Sequence, residues 1–285
     1  MEKKFADVGG DRICYVEGGT GPDLVLVHGF LVSHRVWKDV WGPLTARFHV
    51  VAPDLLGHGD SARPDASRTP YDADCLAERV AGLLQHKGIK GAGVVGHSMG
   101  GKVSAAMVLR HPELASRLML LDSVGAQQEL PLLGKIVNLP VVGKAIFKHA
   151  YNRAVVTSYF KGDVYRDPRR VTPELVDEVY RCLELPHGRD AMYAIFQRTV
   201  APNVTDTADS LKQLKLPVKL IWGEFDKIFP LSAAREFERI ITGSTLTVIP
   251  GIGHSAPDEA PEKLVEEINT FFGADAAVAP AGASV

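Results

Sequence analysis

The sequence predicts an α/β protein built on a mostly parallel, doubly wound sheet and interrupted by an inserted helical segment. Three observations carry this. Short apolar runs without alternation, such as Leu24 to Val27 and Leu118 to Leu121, read as strands covered on both faces. These runs alternate with amphipathic stretches of helical period, which implies crossover connections and parallel pairing. The alternation then fails from about Gly125 to Asp206, where several helical stretches occur without a convincing buried strand.

In chain order, Lys4 to Val8 and Arg12 to Glu17 flank Gly9-Gly10-Asp11 and read as a hairpin. Leu24 to Val27 runs into the loop His28-Gly29-Phe30. Val36, Val40 and Leu44 recur every four residues in a helix over 36–47, and His49 to Ala52 forms the next buried strand. A glycine-rich loop, Gly57-His58-Gly59-Asp60-Ser61, precedes a helix from Asp72 to Lys87 that stops at Gly88. Gly93 to Val95 is a strand, Lys102 to Arg110 a helix closed by His111-Pro112, and Leu118 to Leu121 a strand ending at Asp122. Within the insertion, Thr172-Pro173-Glu174 opens a helix to Leu185, and Arg189 to Arg198 forms another. The rhythm resumes with strands at Val218 to Trp222 and Thr245 to Ile249, and helices at Ser232 to Ile241 and Ala260 to Phe272. The expected division is 1–124 and 207–273 for the sheet-bearing core, 125–206 for the helical cap, and 274–285 for a disordered Ala/Pro/Gly/Ser tail.

Composition narrows the function classes. The chain has 285 residues, 46% hydrophobic and 23% charged, with a net charge of −2. No basic field argues for nucleic acid. No apolar run reaches the length of a membrane span, and the first residues lack the apolar core of a signal peptide. Cys14, Cys75 and Cys182 are odd in number and widely spaced, which fits a reducing, cytoplasmic setting better than disulfides or zinc.

Chemistry concentrates at Val94-Val95-Gly96-His97-Ser98-Met99-Gly100-Gly101. A serine between a strand and a helix sits in a strained turn, so the neighbours two before and two after, Gly96 and Gly100, must lack a Cβ. Serine alone is a weak nucleophile and needs a base, which itself needs an orienting acid. His254, in the glycine-flanked loop after the last strand, is the candidate base. Asp226, in Gly223-Glu224-Phe225-Asp226, is the candidate acid, with Asp122 as the alternative and Glu224 next. Both aspartates satisfy the chain order Ser, Asp, His. The N–H groups of Met99 and Phe30 are candidate oxyanion donors. His28, His58 and His97 are assigned to hydrogen bonding within loops.

Other chemistries lack their parts. Gly91-Ala92-Gly93-Val94-Val95-Gly96 fits a dinucleotide-binding pattern, but it precedes or lies within a strand instead of joining a strand to a helix. No Walker motif, no His-Glu-X-X-His and no metal-ligand spacing occurs. The expectation is no cofactor and no metal.

Five segments together resemble the α/β-hydrolase superfamily. They are His28-Gly29-Phe30, Asp54-X-X-Gly57-His58-Gly59-X-Ser61, Gly96-His97-Ser98-Met99-Gly100-Gly101, Trp222-Gly223-X-X-Asp226 and Gly253-His254. The resemblance covers about 20–125 and 206–272, and it implies an α/β-hydrolase fold, a Ser98/Asp226/His254 triad, an oxyanion hole at Phe30 and Met99, and no cofactor. Haloalkane dehalogenases and epoxide hydrolases of this fold carry aspartate where Ser98 stands. The meta-cleavage-product hydrolases, which cut C–C bonds, are similar in cap size but usually carry asparagine where this chain has His97. Esterases resembling cofactor-free haloperoxidases share Ser-Met-Gly-Gly but commonly lack so large a cap.

The expected function is hydrolysis of a carboxylic ester of a modest-sized, largely apolar small molecule through an acyl-enzyme. The alternatives are C–C hydrolysis and a slow-turnover ligand receptor. The stretch from Leu130 to Phe147 has three readings: cap core, an interfacial segment flanked by Lys135, Lys144 and Lys148, or a substrate tunnel lined by Val141 and Val142.

Overall fold

A computed structural model describes residues 1–125, 136–201 and 209–273. Eight strands form one sheet: β1 (Lys3–Val8), β2 (Asp11–Gly18), β3 (Asp23–Val27), β4 (His49–Pro53), β5 (Ala92–His97), β6 (Ala115–Leu121), β7 (Val218–Gly223) and β8 (Thr245–Ile249). Their spatial order is β1-β2-β4-β3-β5-β6-β7-β8. Only the β1/β2 and β2/β4 pairs are antiparallel. All strands from β3 to β8 therefore end at one edge of the sheet.

Alternate side chains of the continuous apolar strands serve opposite faces. Leu24, Leu26 and Val95 join one cluster with Trp37, Val40 and Leu44 and with Leu264 and Ile268. These come from the turn at His34–Trp37, helix α1 (Lys38–Thr45) and the C-terminal helix Pro261–Gly273. Val25, Val27 and Val94 join the other cluster, covered by α2 (Ala73–His86) and α3 (Met99–Arg110) through Leu76, Val80, Leu83 and Val103. Burial on both faces is why these strands carry no polar alternation. Local signals set the helix starts: Asp72 caps α2 by accepting the Cys75 N–H at 2.8 Å.

Between β6 and β7 the described residues hold helices and no strand: α4 (Pro140–Ala145), α5 (Arg153–Tyr159), α6 (Pro173–Glu184) and α7 (Gly188–Ile195). Thr172 caps α6 and Pro173 occupies its first turn. After β7 come α8 (Leu231–Ile240), β8, the short α9 (Ala256–Glu259) and α10 (Pro261–Gly273).

The readings of Leu130 to Phe147 change. Residues 130–135 lie outside the described residues, as does the expected disordered tail, 274–285. Val141 is 84% exposed and Val142 46%, so neither is cap core nor lines a tunnel over Ser98. The turn that bears them is tied down elsewhere: Val137 and Phe147 are buried, and the Tyr193 hydroxyl donates to the Leu139 carbonyl at 3.2 Å. With the segment pinned at those points, α4 presents Val141 and Val142 to solvent.

The β5-to-α3 junction has no connecting loop. Ser98 alone makes the turn, at φ 55° and ψ −120°. A non-glycine residue there costs about 1–3 kcal/mol. Replacing Ser98 by glycine removes that cost but adds about 0.5–1 kcal/mol of unfolded-chain entropy. The strain term is the larger. Ser98→Gly should therefore melt higher than Ser98→Ala by about 2 °C or more in a calorimetric scan. Equal or reversed melting temperatures would mean that the turn is unstrained.

Candidate active site

Gly96 and Gly100 allow the junction. A Cβ on Gly96 would stand 2.6 Å from both the Gly100 carbonyl oxygen and the Gly101 Cα, and one on Gly100 would stand 2.3 Å from the Val27 carbonyl oxygen. Those neighbours are backbone and have no room to yield. The Ser98 N–H donates to the Leu121 carbonyl at 2.8 Å, and the Ser98 carbonyl accepts from Val124 at 3.1 Å. The serine is thereby fastened to the end of β6. Its hydroxyl projects from the sheet edge at the N-terminus of α3, where the helix dipole and unpaired N–H groups supply positive potential.

His254 approaches from the loop after β8. Its Nε2 lies 2.9 Å from Ser98 Oγ and its Nδ1 lies 2.8 Å from Asp226 Oδ2. Ser98, Asp226 and His254 are 7%, 5% and 5% exposed, so this line of polar atoms is nearly dry. The loop is held at both polar ends of its backbone: the His254 N–H donates to the Val164 carbonyl at 2.8 Å, and the His254 carbonyl accepts from His97 Nε2 at 2.8 Å. Burial, with the neighbouring His254, pushes His97 down to about 4, so it stays neutral at pH 7 with its proton on Nε2. Asp226 is fixed as firmly, since its Oδ1 accepts the N–H groups of Ile228 at 2.8 Å and Phe229 at 2.9 Å.

The other acid candidates take different places. Glu224 accepts the Gly251 N–H at 2.9 Å, which ties the β7 loop to the β8 loop and turns its carboxylate away from His254. Asp122 is fully buried at φ 44° and accepts the Gly223 N–H at 2.8 Å. One atom each of Asp122, Asp226 and His254 lies within 4.8 Å of the other two. Only Asp226, among these carboxylates, is hydrogen-bonded to the imidazole.

The loop histidines are hydrogen-bonded posts. His28 donates from Nδ1 to the Gly29 carbonyl and accepts the Leu55 N–H on Nε2, and burial lowers it to about 4. Burial and the nearby His28 keep His58 well below its ordinary value. Cys14, His34 and Asp54 form a second close cluster. Its atoms are committed: Asp54 accepts His34 N and Nδ1 on one oxygen and the Asp60 N–H on the other, while burial raises the Cys14 thiol to about 12. A metal would have to displace these bonds and remove that proton, so the cluster reads as a brace for the loops after β3 and β4.

Phe30 and Met99 flank Ser98 from the loop after β3 and from the first turn of α3. A small cavity of about 30 Å³ adjoins Ser98 and His254, lined by Gly29, Phe30, Val32, Val36, Tyr159, Phe160, Val164 and Tyr165. A larger cleft of about 400 Å³ shares Val32, Val36 and Tyr165 with it and opens among Arg35, Lys38, Arg170 and Glu178.

The aromatic wall Tyr159-Phe160 and Tyr165 was not legible as site-forming, because aromatic spacing in an insertion says nothing of which face meets the core. Asp258 and Glu259 were also missed. Asp258 accepts from Ser255, Tyr165 and Lys38, and Glu259 accepts the Gly253 N–H at 2.9 Å, so both clamp the His254 loop. Their position three and four residues after Ser255, in the short α9, was the available signal.

Known proteins share this arrangement of the chain. Lipase 1 of Psychrobacter immobilis is 27% identical over 278 residues, covering 94% of this chain and 83% of that protein. The 2-hydroxy-6-oxo-2,4-heptadienoate hydrolase of Pseudomonas putida is 26% identical over 269 residues, covering 90% of this chain and 91% of that one. The crystal structure of Cfl2 from Burkholderia cenocepacia superposes with a TM-score of 0.84 at 26% identity, covering 95% of each chain. The sequence pattern of the alpha/beta hydrolase family matches residues 24–267. With its eight-stranded, mostly parallel sheet and these matches, the chain is a member of the alpha/beta hydrolase family and a hydrolase.

Proposed function

We propose that this hydrolase cleaves a carboxylic ester of a modest-sized, largely apolar small molecule through an acyl-enzyme, with Ser98, His254 and Asp226 as its triad. The observation that carries the reading is the continuous line from Ser98 Oγ to His254 Nε2 at 2.9 Å and from His254 Nδ1 to Asp226 Oδ2 at 2.8 Å. Ser98 attacks the ester carbonyl while His254 takes its proton. The N–H groups of Met99 and Phe30 meet the oxyanion. His254 then protonates the departing alkoxide or phenoxide and next activates the water that releases the acid. Asp226 fixes the neutral imidazole in its Nδ1–H tautomer and stabilises the imidazolium that forms when His254 takes the proton.

The insertion over 125–206, helical among its described residues, acts as a cap. Phe160 and Val164 lie in the wide turn that follows α5, and both are buried against the site. Their apolar surface supports a hydrocarbon acyl or aryl group over a charged one. The 30 Å³ beside Ser98 holds about one water molecule. Substrate therefore binds by displacing cap side chains, and Tyr165, shared with the outer cleft, is the natural gate. Among the described residues no helix is long and apolar enough to cross a membrane. The cytoplasmic setting we propose rests on the three cysteines, which are free thiols. The Pseudomonas relative's name favours a second reading, C–C hydrolysis of a vinylogous diketone, on the same machinery.

The test is steady-state turnover on aryl esters of increasing acyl length, run beside a C–C hydrolase substrate. Ester turnover well above diketone turnover is expected, and the reverse assigns the chain to C–C cleavage. A single slow turnover at best would indicate a receptor. Ser98→Ala should lower kcat by about 10³-fold or more while the protein stays folded. Asp226→Asn should lower kcat far more than Asp122→Asn, because only Asp226 bonds to the imidazole. The opposite ranking would move the acid to Asp122.

A further inference from the structure

The triad leaves one buried acid without a role. Asp122 ends β6 and Asp226 lies three residues past β7, and these strands are parallel neighbours, so both carboxyls reach the same point on the sheet edge. Asp122 is fully buried and its backbone is held at φ 44°, a conformation that non-glycine residues seldom adopt. The backbone therefore aims this side chain inward at a cost. One of its oxygens accepts the Gly223 N–H, whereas Oδ2 is buried with no hydrogen-bond donor against it among the described residues. An ionised, desolvated carboxylate oxygen without a donor is an expensive arrangement.

We propose that Asp122 stands as a neutral carboxylic acid whose O–H donates to Asp226, which makes Asp122 the positioning residue for the acid of the triad. The inference rests on Asp226 being that acid. Two carboxylates this close in a dry site share one negative charge, and the hydrogen bonds decide which of them keeps it. Asp226 accepts from Ile228 N, Phe229 N and His254 Nδ1, whereas among the described residues Asp122 accepts from Gly223 N alone. The charge belongs on the carboxylate with more hydrogen-bond donors, Asp226, and the proton on Asp122. Burial first, and then the charge of Asp226, raise the Asp122 carboxyl well above the usual carboxylate range, and Glu259 acts in the same sense. The groups that face Asp122 are thus Asp226, His254 and Glu259.

Protonated in this way, Asp122 turns its orphaned oxygen into a donor and gives Asp226 one more fixed partner. It also keeps a second negative charge away from His254. Asparagine has nearly the same shape, accepts the Gly223 N–H and donates to Asp226. Leucine does neither.

Two substitutions and three readouts test this. An unfolded aspartate loses its proton near about pH 4, while the folded chain keeps the Asp122 proton above that pH. The unfolded state then binds fewer protons than the folded state, so this group lowers stability progressively as pH rises. Asp122→Asn lacks the penalty. Its melting temperature minus that of the unsubstituted protein should grow from about pH 5 to about pH 8. A difference that stays flat or shrinks with pH means Asp122 is ionised and overturns the proposal. The infrared difference spectrum between the two proteins at neutral pH should contain a protonated-carboxyl C=O band lost in Asp122→Asn, and a carboxylate band there instead also overturns it. Asp122→Leu should lower kcat by about tenfold or more with little change in KM, and Asp122→Asn should restore most of that loss. Equal losses in both variants overturn the donor role. The melting and infrared readouts do not depend on turnover. If Asp226→Asn left hydrolysis intact, the triad would fail while the protonation of Asp122 could still be read.

Discussion

The site depends on the contact between the start of α3 and the backbone of β3. That helix begins directly at the end of β5, with Gly100 so close to the Val27 and His28 carbonyls that no side chain fits between them. Because α3 cannot retreat, Ser98 absorbs the whole change of direction, and its hydroxyl is forced out at the sheet edge. Strain of about 1–3 kcal/mol is stored in one residue and held there by the sheet on one side and a packed helix on the other. The tie from Ser98 N to Leu121 and the tie from Val124 to the Ser98 carbonyl extend that rigidity to the end of β6.

The remaining groups reach the serine because parallel strands deliver all their following loops to one edge. What distinguishes the site is how tightly those loops are braced to one another. His97, the residue before Ser98, holds the backbone of His254; Glu224 links the loop of Asp226 to the loop of His254; Asp258 and Glu259 clamp the His254 loop from behind. Burial keeps His97 neutral, which leaves it a plain hydrogen-bond donor and not a rival base. Several titratable groups therefore crowd the serine, and one of them, His254, is hydrogen-bonded to it.

Much of this was legible in the sequence, for identifiable reasons. Strands such as Leu24 to Val27 declare themselves because burial on both faces removes polar alternation. The turn at Ser98, the proposed nucleophile, declares itself because only glycine fits two residues to either side. The proposed acid and base, Asp226 and His254, were picked out by their positions just past strands, and the structure brings their side chains within hydrogen-bond distance. The cap resisted. Its helices were readable, with Thr172 and Pro173 opening α6 as expected, but the faces that meet the core were not. Val141 and Val142 were open to reading as core or as tunnel lining and stand at the surface, whereas Phe160 and Val164, several turns later, cover the serine. Apolar character alone does not tell which side of a short helix is buried when neighbouring contacts, here Tyr193 on Leu139, set its rotation. Asp122 was ambiguous for a different reason: composition and position suit a triad acid, and only the hydrogen-bond partners separate it from Asp226.

The central claim is that Ser98 is a nucleophile activated by His254, and covalent labelling tests it most directly. A fluorophosphonate exchanges its P–F bond for a bond to an activated serine oxygen, with fluoride leaving and the hydroxyl proton passing to the base. Intact-mass and peptide analysis should find one equivalent of label on Ser98, formed at a rate that falls sharply in His254→Ala. Label on another residue, or equal labelling of Ser98 with and without His254, would contradict the account.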